Sequence, residues 1–189
     1  MQPFENPRYS DRGHSRLLAV LTLAVGLLTI CASLMAQDTA ADSDAPATVT
    51  NVIAFDNMIG DPGNATAAAK AKNIIRGYLG PDSPWVINGS IKGELKTNKQ
   101  LQITVRGLVL PNGTNPVPFF RGAVSCQDPT DSTKGRLFFT KTFAASSAGN
   151  SNINGTVPLP AHCIAPIVLV TSPSIPGNPA GFWFAVTGQ

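Results

Sequence analysis

The sequence predicts an all-β protein, an immunoglobulin-like antiparallel β-sandwich of about seven strands with a short mixed N-terminal extension. Three observations lead there. From Trp85 onward the chain carries short runs rich in β-branched and aromatic residues. Gly, Pro and Asn break these runs at intervals of roughly ten residues, the spacing of sandwich strands and their turns. No 3.6-residue periodicity survives in this half, so amphipathic helices are not expected.

The elements ahead of the body come in three parts. Arg8, Arg12 and Arg16 precede an uncharged apolar run, Leu17 to Ala36, which is the order of a secretory signal peptide. Residues 1–36 are read as that signal, cut after Ala36. The run also matches a spanning helix, which needs roughly 20 residues at 1.5 Å each, so an uncleaved anchor from Leu17 to Ala36 is the alternative. Lipid attachment at Cys31 in "LTIC" is a third outcome, against which Ile30 stands where a small residue is expected. All three put the remaining chain outside the cytoplasm, extracellular or periplasmic. Residues 37–50, "QDTAADSDAPATVT", are small and acidic without apolar periodicity, a flexible linker. Residues 51–83 form the extension. It holds a short strand at Val52 to Phe55, a turn at "GDPGN" and a possible helix from Ala65 to Ile74 capped by Asn64. Ile74 and Ile75, followed by Gly77, equally suit an extended strand.

The domain proper is expected over residues 84–189. Its runs are "GSIKGELK", "QLQITVRGLVL", "FFRGAVSC", "RLFFTKTF", "NINGTVPL", "APIVLVTS" and "GFWFAVTG". In the second, Leu101, Ile103 and Val105 share one face, and Gln102, Thr104 and Arg106 the other. In the third, Phe120, Val124 and Cys126 oppose Arg121 and Ser125. Two immunoglobulin hallmarks are missing: Trp85 precedes both body cysteines, and no tyrosine after Tyr78 is available for a corner.

Without the leader two cysteines remain, Cys126 and Cys163. An even pair in an exported β domain reads as one disulfide, drawn here between strands of facing sheets. Cys163 directly follows His162, but strand neighbours point to opposite faces, so a thiol–imidazole pair is disfavoured. One histidine and two cysteines fall short of a metal's ligand set, and no metal is expected.

Charge and motifs exclude more. Removing residues 1–36 takes away three arginines and two acids and leaves a net charge of +2. The remaining basic residues, among them Lys92, Lys96, Arg106, Arg121, Arg136 and Lys141, are scattered singly. That pattern suits solvated strand faces better than a nucleic-acid or anionic-membrane stripe. Glu94 is the only glutamate of the body, which leaves glycoside hydrolysis without its paired carboxylates beyond Asp128 and Asp131 of one turn. No Gly-rich phosphate loop occurs, and no cofactor is expected. Four sequons, at Asn64, Asn88, Asn112 and Asn154, include three Asn-Gly pairs that tight hairpin turns also explain. Trp85 and Trp183 are the candidate ligand-contacting aromatics, because indole faces stack on sugars and peptides; filling the core is the competing role.

The block "PWVINGSIKGEL…LQITVRGLVLP…FFRGAVSC…LPAHCIAPIVLVTSP…GFWFAVTG" resembles a group of small secreted bacterial β-sandwich proteins of uncharacterised function, over about Trp85 to Gly188. The resemblance implies a bacterial origin, places Cys126 and Cys163 as that group's cysteine pair, and brings no activity or ligand. The functional expectation is therefore an exported, non-enzymatic binding or structural module of the cell envelope or exterior. Its partner is an envelope protein or a polysaccharide, with membrane contact only if the leader stays uncleaved. A carbohydrate- or surface-binding module using exposed aromatics is the first alternative, an enzyme the second.

Overall fold

The computed structural model describes residues 48–188; the expectations for residues 1–36 and for residues 37–47 of the linker lie outside the described residues. All seven expected runs are strands, and they carry the labels β5 to β11 in an element order that starts earlier in the chain. That order is β1 (Asn51–Phe55), β2 (Ile59–Gly60), α1 (Ala67–Lys72), β3 (Ile74–Ile75), β4 (Tyr78–Leu79), β5 (Val86–Lys96), β6 (Gln100–Val109), β7 (Phe119–Gln127), β8 (Gly135–Ala144), β9 (Ser151–Thr156), β10 (Ile167–Thr171) and β11 (Trp183–Val186). One sheet has the order β1-β5-β6-β9 and the other β2-β11-β10-β7-β8; β3 and β4 form a separate hairpin. Every pairing is antiparallel. Among the described residues no helix is long and apolar enough to cross a membrane.

Period-2 patterning explains the sandwich. Leu101, Ile103 and Val105 of β6 are buried, while Gln102 and Thr104 are half-exposed and Arg106 is exposed. The inward residues of both sheets meet in one core that includes Ile91, Leu95, Phe120, Val124, Val168 and Phe184. Gly122 lets the sheets close: a Cβ there would lie 2.8 Å from a Leu101 methyl. The seven long strands divide into β5, β6 and β9 in one sheet and β7, β8, β10 and β11 in the other, which differs from an immunoglobulin constant domain in the place of the fourth strand. Such a domain sets its fourth strand beside its fifth, whereas β8, the fourth of the seven long strands, pairs with β7.

Residues 51–83 are not an appendage. They belong to the same compact unit as the rest of the body, and this corrects the expected boundary at residue 84. β1 adds to β5 and β2 adds to β11, so the chain switches sheets and blunts one open edge of each. The remaining segment covers the outer face of the second sheet. There Ile75 packs with Ala123, Ile167, Leu169, Trp183 and Val186, with Tyr78 alongside. That face is apolar because β10 and β11 are buried at every residue, the mark of strands enclosed on both sides.

Local chemistry shapes the cover. The helix is shorter than expected and its cap is Thr66, whose hydroxyl accepts from the Ala69 N–H at 3.0 Å. Asn64 instead donates its N–H to the Asp82 carbonyl and its side-chain amide to the Asp82 carboxylate. β3 and β4 are joined by Arg76 and Gly77, both at positive φ, the requirement of a two-residue type I′ hairpin. Arg76 tolerates that backbone because its guanidinium donates to the carbonyls of Ser125 and Ala165. The Tyr78 hydroxyl donates to the Gly135 carbonyl and accepts from the Leu137 N–H. Asn73 fastens the whole segment. Its side-chain amide donates to Asp61 and to the Pro81 carbonyl, and its side-chain oxygen accepts from Gly80.

The disulfide joins Cys126 to Cys163 with a Cα–Cα distance of 5.0 Å. It does not link strands of facing sheets. Cys126 is the penultimate residue of β7, and Cys163 sits in the connection from β9 to β10, at the point where the chain crosses between sheets. Of the three Asn-Gly pairs, only Asn112-Gly113 makes a turn, with Gly113 at positive φ. Asn88-Gly89 continues β5 through a register shift, and Asn154-Gly155 continues β9.

Two stability outcomes are expected. Opening the 37-residue loop by reduction should cost about 4 kcal/mol in urea unfolding, from loop-closure entropy. Asn73→Ala should cost about 3 kcal/mol because it strands buried polar groups, whereas Asn64→Ala should cost less than about 1 kcal/mol.

Candidate functional site

The strands run between two poles of different character. At one pole lie the entering chain at Thr50, paired with Thr97, and the disulfide. The opposite pole, about 30 Å away along β5 by strand rise, gathers the connections 81–84, 110–118, 145–150 and 172–182. These four connections contain one charged residue, Asp82, and half of the chain's 16 prolines. The connections 97–99, 128–134 and 157–166 at the chain-entry pole carry Lys99, Asp128, Asp131 and Lys134.

A largely apolar groove of about 520 Å³ opens at the proline-rich pole. Trp85 and Phe184 form its floor. Its walls come from Pro81, Asp82 and Ser83 ahead of β5, from Leu110, Pro116, Val117 and Pro118 between β6 and β7, and from Ser172, Pro173, Ile175 and Phe182 between β10 and β11. The floor is continuous with the core. Trp85 stacks on Phe184 with ring centres 3.9 Å apart, and both meet Phe120 edge-on. Asp61 ties the two rings by backbone, donating its N–H to the Phe184 carbonyl and accepting from the Trp85 N–H.

Each of the three walls is held by a buried polar side chain, and Asn73 does so at Pro81. Asn115 donates to the carbonyls of Val117 and Ser146 and accepts from the Val117 N–H. Arg121 holds the other wall: it donates to Thr171 and Ser174 hydroxyls and to the Pro179 and Ala180 carbonyls. Its guanidinium lies 3.8 Å from the centre of the Phe139 ring. The sequence reading put Arg121 on a solvated face, but it is buried, and that burial lowers its pKa from the usual arginine value. No carboxylate partners it among the described residues, so carbonyls, hydroxyls and a ring face compensate the charge. Spacing alone could not reveal this. The clustered prolines of 110–118 and 172–179 were the available signal for a rigid rim.

The other candidates fall elsewhere. Trp183 is 3 % exposed, and its indole N–H donates to the Asn73 carbonyl beneath the covering segment. Trp85 is 4 % exposed. Neither offers a free indole face, which corrects the expectation of exposed stacking aromatics; Trp85 lines the groove. Cys163 is bridged, and its neighbour His162 is exposed on the same connection. Asp128 accepts from the Thr130 N–H and hydroxyl, and Asp131 from those of Thr133, with Lys134 at 3.1 Å. These contacts lower both carboxyl pKa values. Among the described residues no three metal-ligating side chains converge. Comparison with protein-family models, curated proteins and solved structures finds no match.

Asp61 gives the site a pH signature. Burial raises its carboxyl pKa to about 7, against the lowering effect of hydrogen bonds from Gly63 and Asn73. The folded state thus holds a proton that the unfolded chain releases near its ordinary value of 3.8. Stability is full below that value and falls as pH rises through about 7, by an amount on the order of a few kcal/mol. Thermal unfolding between pH 4 and 8 should show this decline, and Asp61→Asn should flatten it.

Proposed function

We propose that the protein is an exported, non-enzymatic recognition module, acting at the cell envelope or outside it, that holds its partner in the groove of the proline-rich pole. The groove itself carries this reading. It is largely apolar and walled by prolines, and each wall is fixed by hydrogen bonds already made within the fold. It also lies at the pole opposite the entry of the chain, so a tether through residues 37–50 would present it outward. The disulfide supports an oxidising compartment. The non-catalytic part of the reading rests on the side-chain inventory. Glu94 is paired with Lys96 at 2.8 Å, the body thiols are bridged, and the body's one histidine stands on an exposed connection. With both indole faces covered, the groove supports a protein partner over a stacked sugar.

Photo-crosslinking in intact cells tests the reading. A photoreactive residue at Val117 or Ile175 should give a discrete adduct, and one at Lys99 or Lys134 should not. Adducts from the chain-entry pole alone, or from neither pole, would refute it. The mass of the protein recovered outside the cytoplasm should lack residues 1–36.

A further inference from the structure

The groove's hydrogen-bonding inventory narrows what fits it, and this inference rests on the recognition reading above. Trp85 donates no hydrogen bond from its indole nitrogen, although Trp183 does. The one fully buried side-chain polar atom without a partner among the described residues is Ser125 Oγ, so the Trp85 indole N–H is not sealed in the core, and Trp85 lines the groove. The lining carbonyls are in the opposite condition. Those of Pro81, Val117, Pro118, Pro173 and Phe182 already accept from Asn73, Asn115, Ala145, Ser172 Oγ and the Ser172 N–H respectively. The prolines in the walls have no N–H to offer. The groove therefore presents mainly apolar surface, one free donor and five carbonyls already in use, with the Asp82 carboxylate and the Ser83 hydroxyl beside Pro81 as its remaining polar groups.

We propose that the occupant is an uncharged, proline-rich peptide segment in the polyproline II conformation. Proline carries a carbonyl acceptor and no N–H, so its backbone asks for a donor and leaves no donor unmatched. Its extended helix is preformed and has no internal hydrogen bonds, which leaves those carbonyls free and keeps the ordering cost low. An acyl chain would leave the indole N–H unpaired. An acidic peptide would be repelled by Asp82, the only charge of these connections.

Indole resonances in a proton–nitrogen NMR spectrum of the exported protein test this directly, because the body has two tryptophans. Trp85→Phe assigns the Trp85 signal. An end-capped oligoproline should shift that signal saturably and leave the Trp183 signal in place. A Gly-Ser peptide of equal length, a medium-chain fatty acid and a chito-oligosaccharide should leave both unmoved. Read at the Val117 amide, Trp85→Phe should weaken oligoproline binding about three- to tenfold, the effect of one lost hydrogen bond. Ile175→Glu, on the exposed rim, should weaken it at least as much without touching the core. A Trp85 signal static under oligoproline, or one moved by fatty acid or sugar instead, would overturn the proposal. If photo-adducts at Val117 persist in that case, recognition at the pole stands and only the proline-rich occupant falls; if they are absent too, both fall.

Discussion

Burial of the outer face of the second sheet is the constraint on which the rest of the molecule depends. A sandwich needs one apolar face per sheet, yet β10 and β11 are apolar on both. Ala123, Leu169, Trp183 and Val186 would otherwise face water, and each large side chain covered contributes about 1.5–3 kcal/mol. The segment 61–83 supplies that cover, but a loop laid over a sheet also buries backbone that has no ladder to join. Asn73 resolves the conflict. Its backbone carbonyl takes the Trp183 indole N–H and the Gly80 N–H, and its side chain serves Asp61, Pro81 and Gly80. A carboxyl pushed toward neutrality at Asp61 follows from the same enclosure. Cover, knot and titration shift are one structural event.

How far this was readable from the residues depends on the face concerned. β6 has one solvated side, so its alternation gave the burial pattern directly. "IVLVT" and "WFAV" do not alternate, and an unbroken apolar run means enclosure on both faces. Taken at face value, they called for a covering element that the boundary at residue 84 left out. The cysteine pair was legible from its count, but its place at the sheet crossover was not, since pairing says nothing of which elements carry the sulfurs. Asn88-Gly89 and Asn112-Gly113 share a dipeptide and differ in outcome because β5 and β6 must stay paired across the first. Arg121 looks like any strand arginine; only the fold sets Phe139 and the carbonyls of 179 and 180 around it. The groove drew on three separate connections, and no local pattern joins them.

The two poles divide labour by composition. Loops on a sandwich are free to vary, and they are where recognition is placed in such architectures. Here the loops at the chain-entry pole use charged and hydroxyl side chains to close themselves, as Asp128, Asp131 and their threonines do. Those at the far pole use proline, asparagine and a buried arginine. Proline fixes backbone without occupying a donor, and Asn115 and Arg121 satisfy the carbonyls such loops leave over. The result is a stiff rim whose one charge is Asp82, with most of its polar requirements met inward.

That stiffness has a consequence for how the site can work. The floor residues Trp85 and Phe184 are also core residues, stacked on one another and braced by Phe120. A partner therefore meets a groove already formed, and little of the interaction is spent on ordering it. Binding and stability are linked through the same rings, so occupancy raises the free energy of unfolding by mass action. The converse constrains change. Any substitution in the floor disturbs the core before it alters a contact, with the cost of a cavity or of overpacking. Ile175 and the prolines at 116 and 118 lie on the exposed rim and carry no such penalty. Selectivity among partners is thus expected to reside in the rim, while the floor keeps one fixed chemistry: an aromatic stack that presents a single donor.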